Sequence, residues 1–261
     1  MGRKLAASIA RSFAGWGRSF SEFMARLDRE KEPYLSHSKV ALFERCPLCY
    51  YHQYVLGEKE SSPAMELGSV FHDAARILYS DGAPPKPRAL LELLAREKLE
   101  PEQRRKLRNA VSLLCQNRWT GRYKVVSVEQ PFFMDLHKDL PPIIGIADLI
   151  LQEDSRLVVV DHKTSSKFND LAADQLELYA EHARRAFGAR RIVGCYDEYR
   201  LVPDLSTIRK PAFRRTTLAV GKALLAPLVK RYRDVWSQIS KLDYDSKPAP
   251  GYECWKCKSR W

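Results

Sequence analysis

The sequence predicts an α/β fold in which helices flank a small central mixed sheet. Three observations point there. Apolar residues recur at helical spacing toward both ends of the chain. β-Branched and aromatic runs collect in the middle, at Tyr123 to Met134, Ile143 to Gln152 and Leu157 to Lys163, with a further strand candidate from Arg191 to Leu201. Helix returns between them, at residues 171–187. Helices around a central sheet make an α/β or α+β core, and of the two we take α/β. No internal repeat is evident.

From the start of the chain, residues 1–31 read as one basic helical segment. Arg3, Lys4, Arg11 and Arg18 are interleaved with Leu5, Ile9, Phe13, Trp16 and Phe20, and no acid precedes Glu22. Such a segment resembles an organellar transit peptide and equally fits a basic amphipathic helix lying on the domain or on DNA. We expect the second. Pro33 breaks it, and Ser36 or Ser38 caps a helix carrying Val40, Leu42, Phe43 and then Cys46-Pro47-Leu48-Cys49. Tyr50, Tyr51 and Tyr54 continue an aromatic stretch to Gly57, and a polar loop runs from Glu58 to Pro63. From Met65 to Ser80, Leu67, Val70, Phe71, Ala74, Ala75 and Leu78 form one buried helical stripe. Residues 88–119 are helical, with a basic centre at Arg104, Arg105, Lys106 and Arg108. Residues 216–241 form a long C-terminal helix kinked near Pro227, followed by a loop from Pro248 to Trp261.

Basic residues outnumber acidic ones by 44 to 32, a net charge of +12. Such a balance attracts polyanions through long-range steering and counterion release, so nucleic acid is the expected partner ahead of an anionic membrane. Hydrophobic residues are 45% of the chain, too many for a disordered protein. No apolar run approaches the ~18 residues needed to cross a bilayer. Gly221-Lys222 lacks the rest of a G-x-x-x-x-G-K-[ST] loop, which excludes a helicase motor of that type. Aromatic residues among the basic ones, such as Tyr50, Tyr51, Trp255 and Trp261, are candidates to stack on bases.

The most informative stretch is Ile143 to Thr164, IIGIADLILQEDSRLVVVDHKT. It reads as two strands joined by a four-residue loop, Glu153-Asp154-Ser155-Arg156, so that Gln152 pairs with Leu157. Paired positions sum to a constant, which sets Asp148 opposite Asp161 on one face, Cβ atoms about 5 Å apart. Lys163 joins that face by the period-two alternation of a strand. Two carboxylates so close repel unless a cation sits between them. Oxygen ligands suit Mg2+ or Mn2+, and a neighbouring lysine can hold an attacking water or stabilise charge developing on a phosphate. The bland alternative is an exposed acidic hairpin with an Asp161–Lys163 salt bridge. Asp161, however, closes the apolar run Leu157-Val158-Val159-Val160, where a solvated charge is unexpected.

Six cysteines are present. Cys115 and Cys195 stand alone and read as small buried hydrophobes. Cys46/Cys49 and Cys254/Cys257 form two C-x2-C pairs, a spacing that reads as a four-cysteine metal site in a reducing, intracellular compartment, cytoplasmic or nucleoid-associated.

Asp148 followed by Asp161-His162-Lys163 resembles the D…(D/E)-x-K core of the PD-(D/E)XK nuclease superfamily, and the neighbouring motifs resemble its RecB-like branch. Gly68-Ser69-Val70-Phe71-His72 is similar to the G-x-x-x-H helix motif. Gly145-Ile146-Ala147-Asp148 is similar to the G-x-x-D strand, Asp161-His162-Lys163-Thr164 to D-x-K-T, and Gln175 to Tyr179 to the Q-x-x-x-Y helix. The four occur in the family's order, and the likeness covers residues 36–257.

The resemblance implies a restriction-endonuclease-like core with helical additions and a cysteine-metal staple, a RecB-like nuclease domain over 32–261 following the basic 1–31 segment. It further implies a metal-dependent DNA exonuclease acting on single strands or ends in repair or recombination, beside a helicase or another repair or adaptation subunit, with no membrane partner. His72, Asp148 and Asp161 would be ligands of Mg2+ or Mn2+, with the His162 carbonyl completing the shell. Lys163 would orient the water nucleophile. Gln175, Tyr179 and Glu129 would line the site or touch substrate. RecB-like nucleases of the AddB and CRISPR-adaptation types carry an iron–sulfur cluster that staples early to late cysteines, so a 4Fe–4S cluster is implied at Cys46, Cys49, Cys254 and Cys257. That branch has one early and three late cysteines, whereas this chain has two of each, which keeps zinc as the alternative. The rival reading of the whole is a non-catalytic, metal-stapled nucleic-acid-binding module.

Overall fold

In the computed structural model, which describes residues 5–17, 19–58, 62–80, 87–96, 99–207, 211–251 and 254, the chain divides into two units. One comprises residues 61–130 and 147–221, the other residues 1–60, 131–146 and 222–261.

The first unit carries most of the sheet. Its helices are α5 (Pro63–Tyr79), α6 (Pro87–Arg96), α7 (Pro101–Gln116) and α8 (Asp174–Phe187), preceded along the chain by α1 (Leu5–Ala14), α2 (Phe20–Arg29), α3 (His37–Arg45) and α4 (Pro47–Tyr50) of the other unit. α5 begins where Ser62 accepts a hydrogen bond from the Met65 N–H and Pro63 fills the first turn. The expected stripe, Leu67 to Leu78, is buried. The long helix expected over 88–119 is two helices, and Pro101 opens the second because its missing N–H costs nothing in a first turn.

The strands are β1 (Lys124–Met134), β2 (Ile143–Glu153), β3 (Arg156–Ser165), β4 (Arg191–Arg200) and β5 (Phe213–Ala219), in the sheet order β1-β2-β3-β4-β5. β2 and β3 are antiparallel, β3 and β4 parallel, β4 and β5 antiparallel, so the sheet is mixed as expected. α8 is the crossover that the parallel pair requires. Gln152 does pair with Leu157, but Glu153 also pairs with Arg156, leaving a two-residue turn rather than four. Asp154 makes this turn possible by adopting φ 49°.

Side chains of β3 alternate between two helical covers. Val158 and Val160 join α5, α6 and α7 in one apolar cluster with Leu149, Leu151, Cys195 and Tyr199. Gln175 of α8 meets Lys163 of β3, and Leu176 lies against Gly194 of β4, on the opposite face. β5 is a strand where the sequence reading placed the start of a long helix. Its partner β4 supplies every cross-strand contact from Tyr199↔Phe213 to Val193↔Ala219, and an exposed strand with mixed polarity carries little periodic signal of its own.

In the second unit, residues 5–29 form two helices, α1 (Leu5–Ala14) and α2 (Phe20–Arg29), instead of one. The break falls at Gly15-Trp16-Gly17, where two glycines weaken the helix, and a Ser19/Glu22 capping box starts the next one. Ile9, Phe23 and Leu27 are buried with Tyr34 and Ile144, and Phe13, Trp16, Phe20 and Phe133 pack against them. The apolar face of this basic segment therefore lies on its own unit. α3 (His37–Arg45) is capped by Ser36 and leads into α4 (Pro47–Tyr50) and a π-helical turn, Tyr51–Val55. Tyr50 and Tyr51 are 5% and 4% exposed, so these two are core residues and not the base-stacking platform expected of them. α9 (Lys222–Ile239) contains Pro227, and its Arg231 pairs with Glu44 of α3. No helix among the described residues is long and apolar enough to cross a membrane.

Candidate active site and cysteine cluster

α5, β1, β2, β3 and α8 converge on one set of polar side chains. His72, at the middle of α5, places Nδ1 2.9 Å from Glu129 Oε1 and 3.6 Å from Asp148 Oδ2. These three donors lie within 4.8 Å of one another. The β2–β3 pairing runs to Leu149↔Val160, and one residue further on Asp148 Oδ2 accepts the His162 N–H at 2.8 Å. Asp148 and Asp161 are 6% and 1% exposed, which rules out the solvated acidic hairpin.

A second line of polar contacts starts at Asp161. The Lys163 Nζ lies 2.7 Å from its Oδ2 and donates to Gln175 Oε1 at 2.8 Å. The amide of Gln175 donates in turn to the Tyr179 hydroxyl at 2.8 Å. The structure thus gathers His72, Glu129, Asp148, Asp161, Lys163, Gln175 and Tyr179, with Asp161 tied to the lysine instead of joining the His72 trio. Gly68 lies where α5 passes β3: a methyl there would sit 3.4 Å from Thr164 Oγ1, leaving little room for a larger side chain.

Electrostatics follow from burial. Burial alone would lower the His72 pKa, but Asp148, the hydrogen bond with Glu129 and the charges of Glu129 and Asp161 outweigh it and raise it to about 9. Burial, then the Asp161 charge, raises the Asp148 carboxyl. The carboxylates thus favour the protonated imidazole, and the imidazole in turn opposes the rise at Asp148. The donor set, one imidazole nitrogen and carboxylate oxygens, also suits a divalent metal ion.

The His162 ring packs among aromatic side chains, its centroid 6.5 Å from that of the His72 ring. It is 2% exposed, stacked on Tyr79 at 6.2 Å and flanked by Phe71 and Tyr199. Burial lowers its pKa to about 4, so the ring is neutral. Among the described residues neither ring nitrogen has a hydrogen-bond partner.

Glu129 is the residue the sequence flagged least. Its backbone adopts φ 46° inside β1, a left-handed conformation unusual for a non-glycine strand residue. Tyr196, aligned with Asp161 by the parallel register, was missed altogether. Only the β3–β4 pairing reveals it. Burial, then Asp161 and Asp148, raises its pKa.

The cysteine cluster lies in the other unit. Cys46 and Cys254 are buried, and the Cys49 and Cys254 sulfurs are 3.4 Å apart, with no disulfide among the described cysteines. Cys46, Cys49 and Cys254 bring their Sγ atoms within 4.8 Å of one another. Cys46 Sγ accepts the N–H of Cys49 at 3.4 Å and of Gly251 at 3.2 Å. Donors aimed at a sulfur favour thiolate, the form that binds metal. A Cβ at Gly251 would lie 2.1 Å from the Arg45 carbonyl oxygen, so the strand of chain bearing Cys254 approaches Cys46 this closely only with glycine there. Cys257, Trp255 and Trp261 lie outside the described residues.

The profile of the PD-(D/E)XK nuclease superfamily matches residues 34–261. The chain belongs to that superfamily. PD-(D/E)XK nucleases use divalent metals, which agrees with the donor set around His72, and a RecB-like assignment fits the family. A solved structure from Eubacterium rectale, assigned as an exonuclease, is 12% identical, covers 90% of each chain and has a TM-score of 0.59. At that identity it shows the shared fold. An alkaline exonuclease from Laribacter hongkongensis is 12% identical over 66% of this chain and 92% of that one, at a TM-score of 0.26, too low to support any inference. No curated protein matches the sequence.

Proposed function

We propose that this PD-(D/E)XK protein is a metal-dependent DNA nuclease of the RecB-like branch, acting as an exonuclease on single strands or ends. The observation carrying this reading is the buried polar array itself: His72, Glu129 and Asp148 within 4.8 Å, beside the Asp161–Lys163–Gln175 chain. Burying so many charges costs stability unless they serve a ligand or reaction. The net charge of +12 and the exonuclease assignment of the Eubacterium rectale structure support the substrate and mode.

His72, Glu129, Asp148 and Asp161 would hold Mg2+ or Mn2+, with the His162 carbonyl available beside them. A bound divalent ion supplies Lewis acidity and lowers the pKa of water. Lys163, fixed between Asp161 and Gln175, keeps its ammonium where it can hold the attacking water or neutralise charge building on the phosphate. Tyr179 limits the mobility of Gln175 and through it of the lysine. Water adds to phosphorus, the P–O bond to the leaving nucleotide breaks, the water proton passes to solvent, and the leaving oxygen takes up a proton from solvent to become a hydroxyl.

At the cysteines, Cys46, Cys49 and Cys254, with Cys257 as the fourth ligand, would hold a 4Fe–4S cluster. Zinc is the alternative, and elemental analysis of anaerobically purified protein separates the two. DNA repair or recombination, alongside a helicase or adaptation subunit, is the setting this activity fits.

The test is cleavage of end-labelled linear and circular single strands, with Mg2+ or Mn2+ supplied or withheld. We expect metal-dependent degradation of linear strands. Asp161→Ala and Lys163→Ala should each lower the rate at least a hundredfold while DNA binding persists. DNA binding without cleavage under any metal would instead favour the non-catalytic module.

A further inference from the structure

A cavity of about 640 Å3 opens at the start of β1. Its walls include Tyr79, Arg118, Trp119, Tyr123, Lys124 and Ser127, none of which the proposed chemistry uses. Two elements run from the acid cluster to this cavity. α5 carries His72 and, seven residues later, Tyr79, about 10 Å along a helix. β1 carries Glu129 and, five residues earlier, Lys124, about 16 Å along a strand. Val128 and Ser127, one and two residues from Glu129, also line it, so the cavity begins beside the cluster. Its aromatic end, where the Tyr79 hydroxyl meets the Trp119 N–H, lies about 10 Å away, roughly three stacked nucleotide steps at ~3.4 Å each.

Its chemistry suits a nucleotide. Arg118 and Lys124 have no carboxylate partner among the described residues, whereas the adjacent Arg122 is paired with Glu153. The Trp119 and Tyr123 rings meet edge to face at 4.7 Å. Trp119 is held in place: its indole N–H donates to Asp197 at 2.9 Å, and the Arg215 guanidinium lies 3.8 Å from its ring. The Ser127 hydroxyl is buried and has no hydrogen-bond partner among the described residues. The volume is in the range of small-ligand pockets, enough for a nucleotide and far too little for a duplex.

We infer that this cavity is a second nucleic-acid subsite, which takes one nucleotide of a single strand whose scissile phosphate lies at the His72 cluster. Arg118 and Lys124 meet its phosphate, Trp119 and Tyr123 its base, and Ser127 a polar edge of the base or sugar. The inference rests on the nuclease reading and specifies the path of the strand.

The experiment uses fluorescein-labelled oligo-dT from two to twelve nucleotides, with binding read by anisotropy in Ca2+ and cleavage read in Mg2+ or Mn2+. The double variant Arg118→Glu/Lys124→Glu should weaken binding of the longer strands about tenfold and flatten the salt dependence by roughly one to two counterions. The loss should grow with length and level off once the strand reaches Arg118 and Lys124. Arg105→Glu, a charge reversal on the exposed face of α7, should leave binding and cleavage unchanged. Strands bearing 5-iodouracil about three positions from the cleaved bond should crosslink to Trp119 or Tyr123. Equal losses at every length, equal losses in Arg105→Glu, or crosslinks mapping elsewhere would overturn the subsite. A wild-type chain that binds these strands but never cleaves them would overturn the nuclease reading and leave the binding result to stand by itself.

Discussion

Glu129 holds a left-handed backbone, φ 46°, in the middle of a strand. An L-residue in that region costs about 1–2 kcal/mol relative to the right-handed or extended basins, and glycine avoids the cost. In an ordinary strand interior, alanine is the more stable of the two small residues by about 0.5–1 kcal/mol. Here the order should invert. Glu129→Gly and Glu129→Ala both delete the carboxylate and its 2.9 Å contact with His72, so that loss cancels between them. What remains is the backbone term less glycine's extra unfolded-state entropy, leaving Glu129→Gly more stable by about 1 kcal/mol. That difference corresponds to about 2–4 °C in melting temperature for a domain of this size. Urea and thermal unfolding in the presence of a chelator measure it. Calorimetric titration with Mn2+ should show that both variants have lost affinity, which separates the backbone's role from the carboxylate's. An alanine variant as stable as the glycine variant would refute the claim that β1 is strained in order to aim Glu129 at His72.

Two further outcomes follow from the same geometry. Because the His72 pKa is raised to about 9 and burial and Asp161 raise the Asp148 carboxyl as well, both protons must leave when a divalent ion binds; metal affinity should rise from pH 7 to about 9, by up to a hundredfold per unit while both groups are protonated, and then level off. Calorimetry in buffers of different ionisation heat should detect the released protons, one fewer should appear in His72→Ala, and a pH-independent affinity would contradict the assignment. Gly251→Ala forces a methyl to 2.1 Å from the Arg45 carbonyl oxygen, so it should cost about 1–3 kcal/mol and lower metal content and melting temperature together. An alanine variant that retains both would show that the close approach to Cys46 is not needed.

The α5 stripe was legible because burial on one helix face imposes its period on the sequence. The hairpin was legible because two strands joined by a short turn have their register set by adjacency, and Gln152↔Leu157 needed no tertiary information. The turn length was misjudged by two residues, since Glu153 and Arg156 look like loop residues while pairing in the ladder. Tyr50 and Tyr51 looked available for stacking, but their burial depends on what packs over them, and Tyr51 finds the carbonyl of Tyr244, far along the chain. α1 and α2 resemble one helix in sequence because the alternation of basic and apolar residues continues across the glycines that break it.

The helices with an apolar stripe, the β2–β3 pairing and the order of the Gly68–His72, Asp148, Asp161–Lys163 and Gln175–Tyr179 motifs can be read from the chain alone. Those features depend on residues within a few positions of one another, where periodicity and spacing are written directly into the chain. That Glu129 meets His72, that Tyr196 aligns with Asp161, that Phe213–Ala219 is a strand, and that Gly251 brings Cys254 to Cys46 emerge from the folded structure. Each depends on a backbone conformation or a long-range pairing held in place by distant neighbours, and a local pattern has no means of recording either.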